Sequence, residues 1–149
     1  MRNARRYLFL LVIGLATLAL AGCGTPNVRQ VVRNIADPLY DYIRNTPPDV
    51  QAAYDYAATH PDELRKYPCY CGCGSMGHRD NLDCYVKSFD QNGMPTYDRH
   101  ATGCTICIEI TTDVMRLRAQ GQPSTAIRAY IDATYSPYGP ATDTALPHD

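Results

Sequence analysis

The sequence predicts a small, mostly α protein, a bundle of three or four short helices around a long cysteine-rich loop stapled by metal or by disulfides. Three observations predict it. Apolar residues recur at helical spacing in stretches bounded by proline, the stretch between them has no sustained period, and six of the seven cysteines fall in or just after that stretch. So small a domain buries little apolar surface, and staples would offset that shortfall.

The elements follow in order. Arg2, Arg5 and Arg6 precede an uncharged apolar run over 7–20. This has the form of a secretory signal, too short and wrongly flanked for a lasting transmembrane helix. The run ends in Leu20-Ala21-Gly22-Cys23, which resembles the bacterial lipobox. That resemblance implies cleavage of residues 1–22, lipid on Cys23, and an exported protein anchored to the cell membrane, facing the periplasm or cell exterior. Two acyl chains make such anchoring durable where one does not.

Residues 23–47 read as a tether, with Val28, Val31, Val32, Ile35 and Leu39 at helical spacing until Pro38 interrupts them. The folded domain is expected over 48–135. Thr46 and Pro47-Pro48 open a helix with a stripe of Val50, Ala53, Tyr54, Ala57 and Ala58, a cap followed by proline in the first turn. His60-Pro61 stops it, and Pro61 starts a short turn to Leu64. Residues 68–103 read as ordered loop. Ile106, Ile110, Val114 and Leu117 define a second long helix ended by Gly121. A third, opened by Pro123, carries Ile127, Tyr130, Ile131 and Thr134 on one face. Pro137, Gly139 and Pro140 end it, and 136–149 reads as a disordered tail.

Charge narrows the function. Three of the 14 basic residues lie in the signal, leaving 11 against 15 acids, a net charge of about −4. There is no basic stripe and no tryptophan, which argues against nucleic acid as a partner. No base–nucleophile pair marks a hydrolase.

The cysteines carry the chemistry. Outside the cytoplasm a thiol stays reduced only when metallated or catalytic, and otherwise pairs. With Cys23 assigned to lipid, Cys69, Cys71, Cys73, Cys84, Cys104 and Cys107 remain. Cysteines at alternate positions resist bonding to one another but can wrap thiolates around one ion. Gly72 and Gly74 let that backbone turn tightly. His78 and His100 add imidazoles, and Met76 adds a soft thioether. Cys104 and Cys107 sit where the second long helix begins, sharing a face near its unpaired N–H groups. The set Cys69, Cys71, Cys73, His78, Cys84, His100, Cys104 and Cys107 thus suits a copper or zinc ion, Cu(I) before Zn(II). Structural disulfides, or thiol–disulfide exchange by Cys104 and Cys107, are the alternatives, and a metal-handling or redox protein is the corresponding partner. Position 108 is Ile, so Cys104-Thr105-Ile106-Cys107 is not a c-type haem attachment site.

Two resemblances bear on this. Val50-Gln51-Ala52-Ala53-Tyr54, His60-Pro61, Tyr67-Pro68-Cys69-Tyr70-Cys71-Gly72-Cys73-Gly74 and Gly77-His78 resemble the PCYCGC-motif lipoproteins. So do Asp83-Cys84-Tyr85, Asp98-Arg99-His100, Cys104-Thr105-Ile106-Cys107 and the stretch from Ile127-Arg128 to Ile131-Asp132. The resemblance covers about 48–135 and implies a bacterial surface or periplasmic lipoprotein, with no reaction attached. Separately, Cys104 and Cys107 with Asp113-Val114, Gly121, Ser124, Ile127 and Tyr130 are similar to the small helical thiol reductases of cytochrome c maturation. That likeness implies the redox role, while the extra cysteines and histidines depart from it.

Overall fold

The computed structural model describes residues 38–148. The signal, Cys23 and most of the expected tether lie outside the described residues. Within them the protein is mostly helical, with five α-helices and one two-stranded sheet.

Helix α1, Pro38–Ile43, lies within the stretch expected as tether. Ile43 is buried in the core, so the fold begins before residue 48. Helix α2, Pro48–Thr59, buries Val50, Ala53, Tyr54 and Ala57 as the stripe predicts. Thr46 does not cap it. Pro47 holds the cap position, and the Thr46 hydroxyl donates to the Ile43 carbonyl at 2.6 Å. Helix α3, Pro61–Leu64, is the expected short turn.

Helix α4, Thr105–Ala119, is central, with α2 and α5 both packed against it. Gly121, at φ +74°, ends it in the left-handed region that favours glycine. Helix α5, Ser124–Tyr135, buries Ser124, Ile127, Ile131 and Tyr135. The expected face was rotated: Tyr130 and Thr134 point outward, and the Arg116 guanidinium covers the Tyr130 ring at 5.5 Å.

The stretch expected as plain loop contains a hairpin. Strands β1, Val86–Phe89, and β2, Pro95–Tyr97, pair antiparallel with Val86 opposite Tyr97 and an irregularity between Val86 and Ser88. Asp90 holds the turn by accepting from the N–H groups of Asn92 and Met94, both at 2.8 Å. Strands this short give too few alternations for a period to be read. Three short 3₁₀ turns, Cys73–Met76, Leu82–Cys84 and His100–Gly103, complete the segment.

The expected disordered tail is instead docked. Thr142 is buried, and its N–H donates to the Cys69 carbonyl at 2.9 Å. Its hydroxyl accepts from the Cys69 N–H, also at 2.9 Å. Arg128 donates to the carbonyls of Thr144 and Ala145. Among the described residues, no helix is long and apolar enough to cross a membrane.

Candidate metal centre

Three elements deliver the ligands. Residues 68–78 carry Cys69, Cys71, Cys73 and His78, and Cys69 is held on both its N–H and its carbonyl by Thr142. Gly72 and Gly77, at φ +84° and +92°, bracket the turn that carries Cys73. A side chain at either would meet no neighbour, so the need there is for left-handed backbone and not for space. Sequence reasoning placed that need at Gly72 and Gly74; the second position is Gly77.

The second element carries His100 and leads into α4. The Asp98 carboxylate accepts from the His100 N–H at 2.7 Å, and the Asp98 carbonyl accepts from the buried Tyr54 hydroxyl at 2.7 Å. The helix begins after Gly103, so His100 lies on a 3₁₀ turn, and Cys104 takes the cap position in extended conformation. Cys107 falls in the first turn. The third element is the Leu82–Cys84 turn, which carries the buried Cys84, 3.7 Å from Cys73.

All eight sequence-predicted ligands converge. Ligand atoms of Cys71, His100, Cys104 and Cys107 lie within 4.8 Å of one another, as do those of Cys73, His78, Cys84 and His100. The nearest sulfur pairs are Cys69–Cys71 and Cys69–Cys107, both at 3.3 Å, then Cys71–Cys107 and Cys73–Cys84 at 3.7 Å. Cys71 Sγ is 3.3 Å from His100 Nε2. All six of these cysteines are free thiols. Four donors around one tetrahedral ion at a Zn–S distance of about 2.3 Å lie roughly 3.8 Å apart. The thiols therefore stand near coordination spacing.

Burial and charge agree with that use. Cys69, Cys84 and Cys107 are shut off from water and Cys73 nearly so, while Cys71 and Cys104 are half-buried. Thiol protons divide the cluster. Cys69, Cys71 and Cys104 are pulled below the ordinary thiol value, each chiefly by the Cys107 S–H. Cys107 is pushed up, chiefly by Cys104, as are Cys84 by Cys107 and Cys73 by Cys69. A coordinating thiol gives up its proton to a bound cation, so an ion in this cluster would replace sulfur–sulfur hydrogen bonds by metal–thiolate bonds. His78 Nδ1 is buried without a hydrogen-bond partner, an expensive state for a nitrogen that a metal would satisfy.

The family model described as "Protein of unknown function with PCYCGC motif" matches residues 12–147. The chain belongs to this PCYCGC family. No curated protein and no solved structure matches it, so the likeness to thiol reductases finds no support there. In this PCYCGC protein, four supporting residues escaped sequence reasoning. The Tyr85 hydroxyl donates to the Cys107 carbonyl at 2.6 Å and accepts from Thr111 at 2.7 Å, and Asn81 donates to Thr111 at 2.7 Å. Thr142 is the fourth. Asn81 and Thr111 are polar groups at buried positions, the one signal that could have pointed to them.

Proposed function

We propose that this protein is an exported lipoprotein, anchored through lipid on Cys23, whose folded domain binds a soft metal ion through clustered cysteine and histidine. Cu(I) is the preferred ion and Zn(II) the second. The observation that carries this is the convergence of eight thiol and imidazole donors, seven of them in two sets of four that share His100, with Cys69 close to members of both. Thiolate-rich donor sets select soft ions. Met76, 57% exposed on the turn that carries Cys73, offers a soft thioether to incoming copper.

The redox alternative draws on Cys104, half-buried and with a lowered pKa. Against it, Cys107 is no private partner of Cys104, because it also lies 3.3 Å from Cys69 and 3.7 Å from Cys71. The deciding experiment is elemental analysis with thiol counting on protein purified without oxidant. Near-stoichiometric copper or zinc with six metal-protected thiols supports the reading. Three disulfides and no metal overturn it.

A further inference from the structure

Eight donors exceed what one ion takes. A structural zinc closes with four, and Cu(I) on thiolates takes about two to four. The donors here are not one shell with spares. They divide into Cys71, Cys104 and Cys107 on one side and Cys73, Cys84 and His78 on the other, with His100 within reach of both.

Cys69 completes the pattern. It belongs to neither set of four, yet it closes within 4.8 Å with Cys71 and Cys73, and again with Cys84 and Cys107. Each of these triads takes one member from each lobe. A thiolate sulfur has three lone pairs and can bridge two ions. A neutral imidazole has one available nitrogen, so His100 serves one ion at a time. Cys69 is fully buried and held on its own N–H and carbonyl by Thr142, which fixes its sulfur between the lobes.

Charge points the same way. Each further Cu(I) offsets one thiolate charge, so a buried site that uses several thiolates as ligands is better balanced by more than one monovalent ion.

We propose that the centre holds a thiolate-bridged Cu(I) cluster of at least two ions, with Cys69 as the bridge between the Cys71/Cys104/Cys107 lobe and the Cys73/Cys84/His78 lobe. This rests on the metal-binding reading above. Loading releases one proton to solvent for each ligand that is still a protonated thiol, and none for one already ionised. Copper remains Cu(I), and no electron is transferred.

The test uses full-length protein, reduced and purified anaerobically in detergent, titrated with Cu(I) supplied as its acetonitrile complex. Native mass spectrometry counts ions per chain, and X-ray absorption reads metal–metal scattering. The expected result is two or more Cu(I) per chain, filled cooperatively, with a short Cu–Cu vector. Saturation at a single ion with no such vector overturns the cluster while leaving metal binding intact, whereas no retained copper or zinc overturns both. Cys69→Ser should abolish the Cu–Cu vector while each lobe still takes copper. An unchanged vector in that variant overturns Cys69 as the bridge. If the variant fails to fold, the ion count and vector of the unaltered protein still decide the cluster.

Discussion

The Sγ atoms of Cys69 and Cys107, far apart in sequence, lie 3.3 Å apart in the core. A disulfide would bring them to about 2.0 Å, and unrelated buried thiols have no cause to crowd. Their meeting joins the glycine-rich stretch to the first turn of α4, and the residues behind each sulfur set how firmly that joint is held.

Tyr85 is one such residue. It is fully buried, donating to the Cys107 carbonyl and accepting from Thr111. Tyr85→Phe leaves that carbonyl and the Thr111 hydroxyl short of a partner, at about 1–3 kcal/mol of stability. Chemical denaturation should show that loss in the metal-free and metal-loaded protein alike. Equal stability would mean Tyr85 contributes only its ring.

Much of this was legible beforehand, and what was missed has a common cause. Periodicity exposed α2, α4 and α5 because each is long enough to repeat its stripe, and residue type singled out the eight cysteines and histidines that the fold brings close together. Nothing local announces that Thr142 will cover Cys69, a contact spanning 73 positions. The same holds for Tyr85 beneath Cys107. The hairpin failed differently: Asp90 and Gly93 are turn residues, but three- and four-residue strands offered no alternation to set beside them. The burial of Ile43 was hidden because the stripe that would show it continues into a stretch read as tether.

Thr142 tests the tail. Thr142→Val keeps the shape but removes the oxygen that accepts from the buried Cys69 N–H, an expected loss of about 1–3 kcal/mol. Limited proteolysis should then cut within residues 136–148 faster than in the unaltered protein. Unchanged cleavage and melting would show that the tail adds nothing to the motif.

Acid stability should depend on Glu63. Burial raises its pKa, but hydrogen bonds from Lys66 and Tyr67 and the charge of Arg118 prevail and leave it below the usual carboxylate value. A depressed folded pKa contributes stability above the unfolded value of about 4.3, lost as pH falls through the folded value. The stability gap between the unaltered protein and Glu63→Gln should therefore be widest near neutrality and close in acid. Taking the difference between the two proteins cancels proton competition for the metal site, which both share. A gap that widens in acid would reverse the assignment.

The anchor has its own test. Cys23→Ser should yield protein that is unprocessed or released and carries no acyl label, because serine cannot form the thioether. Normal lipid labelling of that variant, read after metabolic labelling with a fatty acid, would remove the lipoprotein assignment.

The last prediction separates coordination from redox catalysis. A catalytic pair needs one accessible, low-pKa thiolate to attack and a second thiol to resolve. Here only Cys104 combines partial exposure with a place at the start of α4. Under the redox reading, Cys71→Ala and Cys73→Ala leave exchange intact and Cys104→Ala abolishes it. Under the metal reading the three cysteines serve one centre, since Cys71 and Cys104 share a set of four and Cys73 meets them through Cys69. Each substitution should then lower metal affinity at least about tenfold and lower the melting temperature of the loaded protein, because binding energy in so small a domain is folding energy. His78→Ala and His100→Ala should give milder versions, and competition against a chromophoric chelator with parallel melts reads both quantities. We expect the shared pattern. Metal affinity untouched by Cys71→Ala, beside exchange activity lost only in Cys104→Ala, would establish the reductase instead.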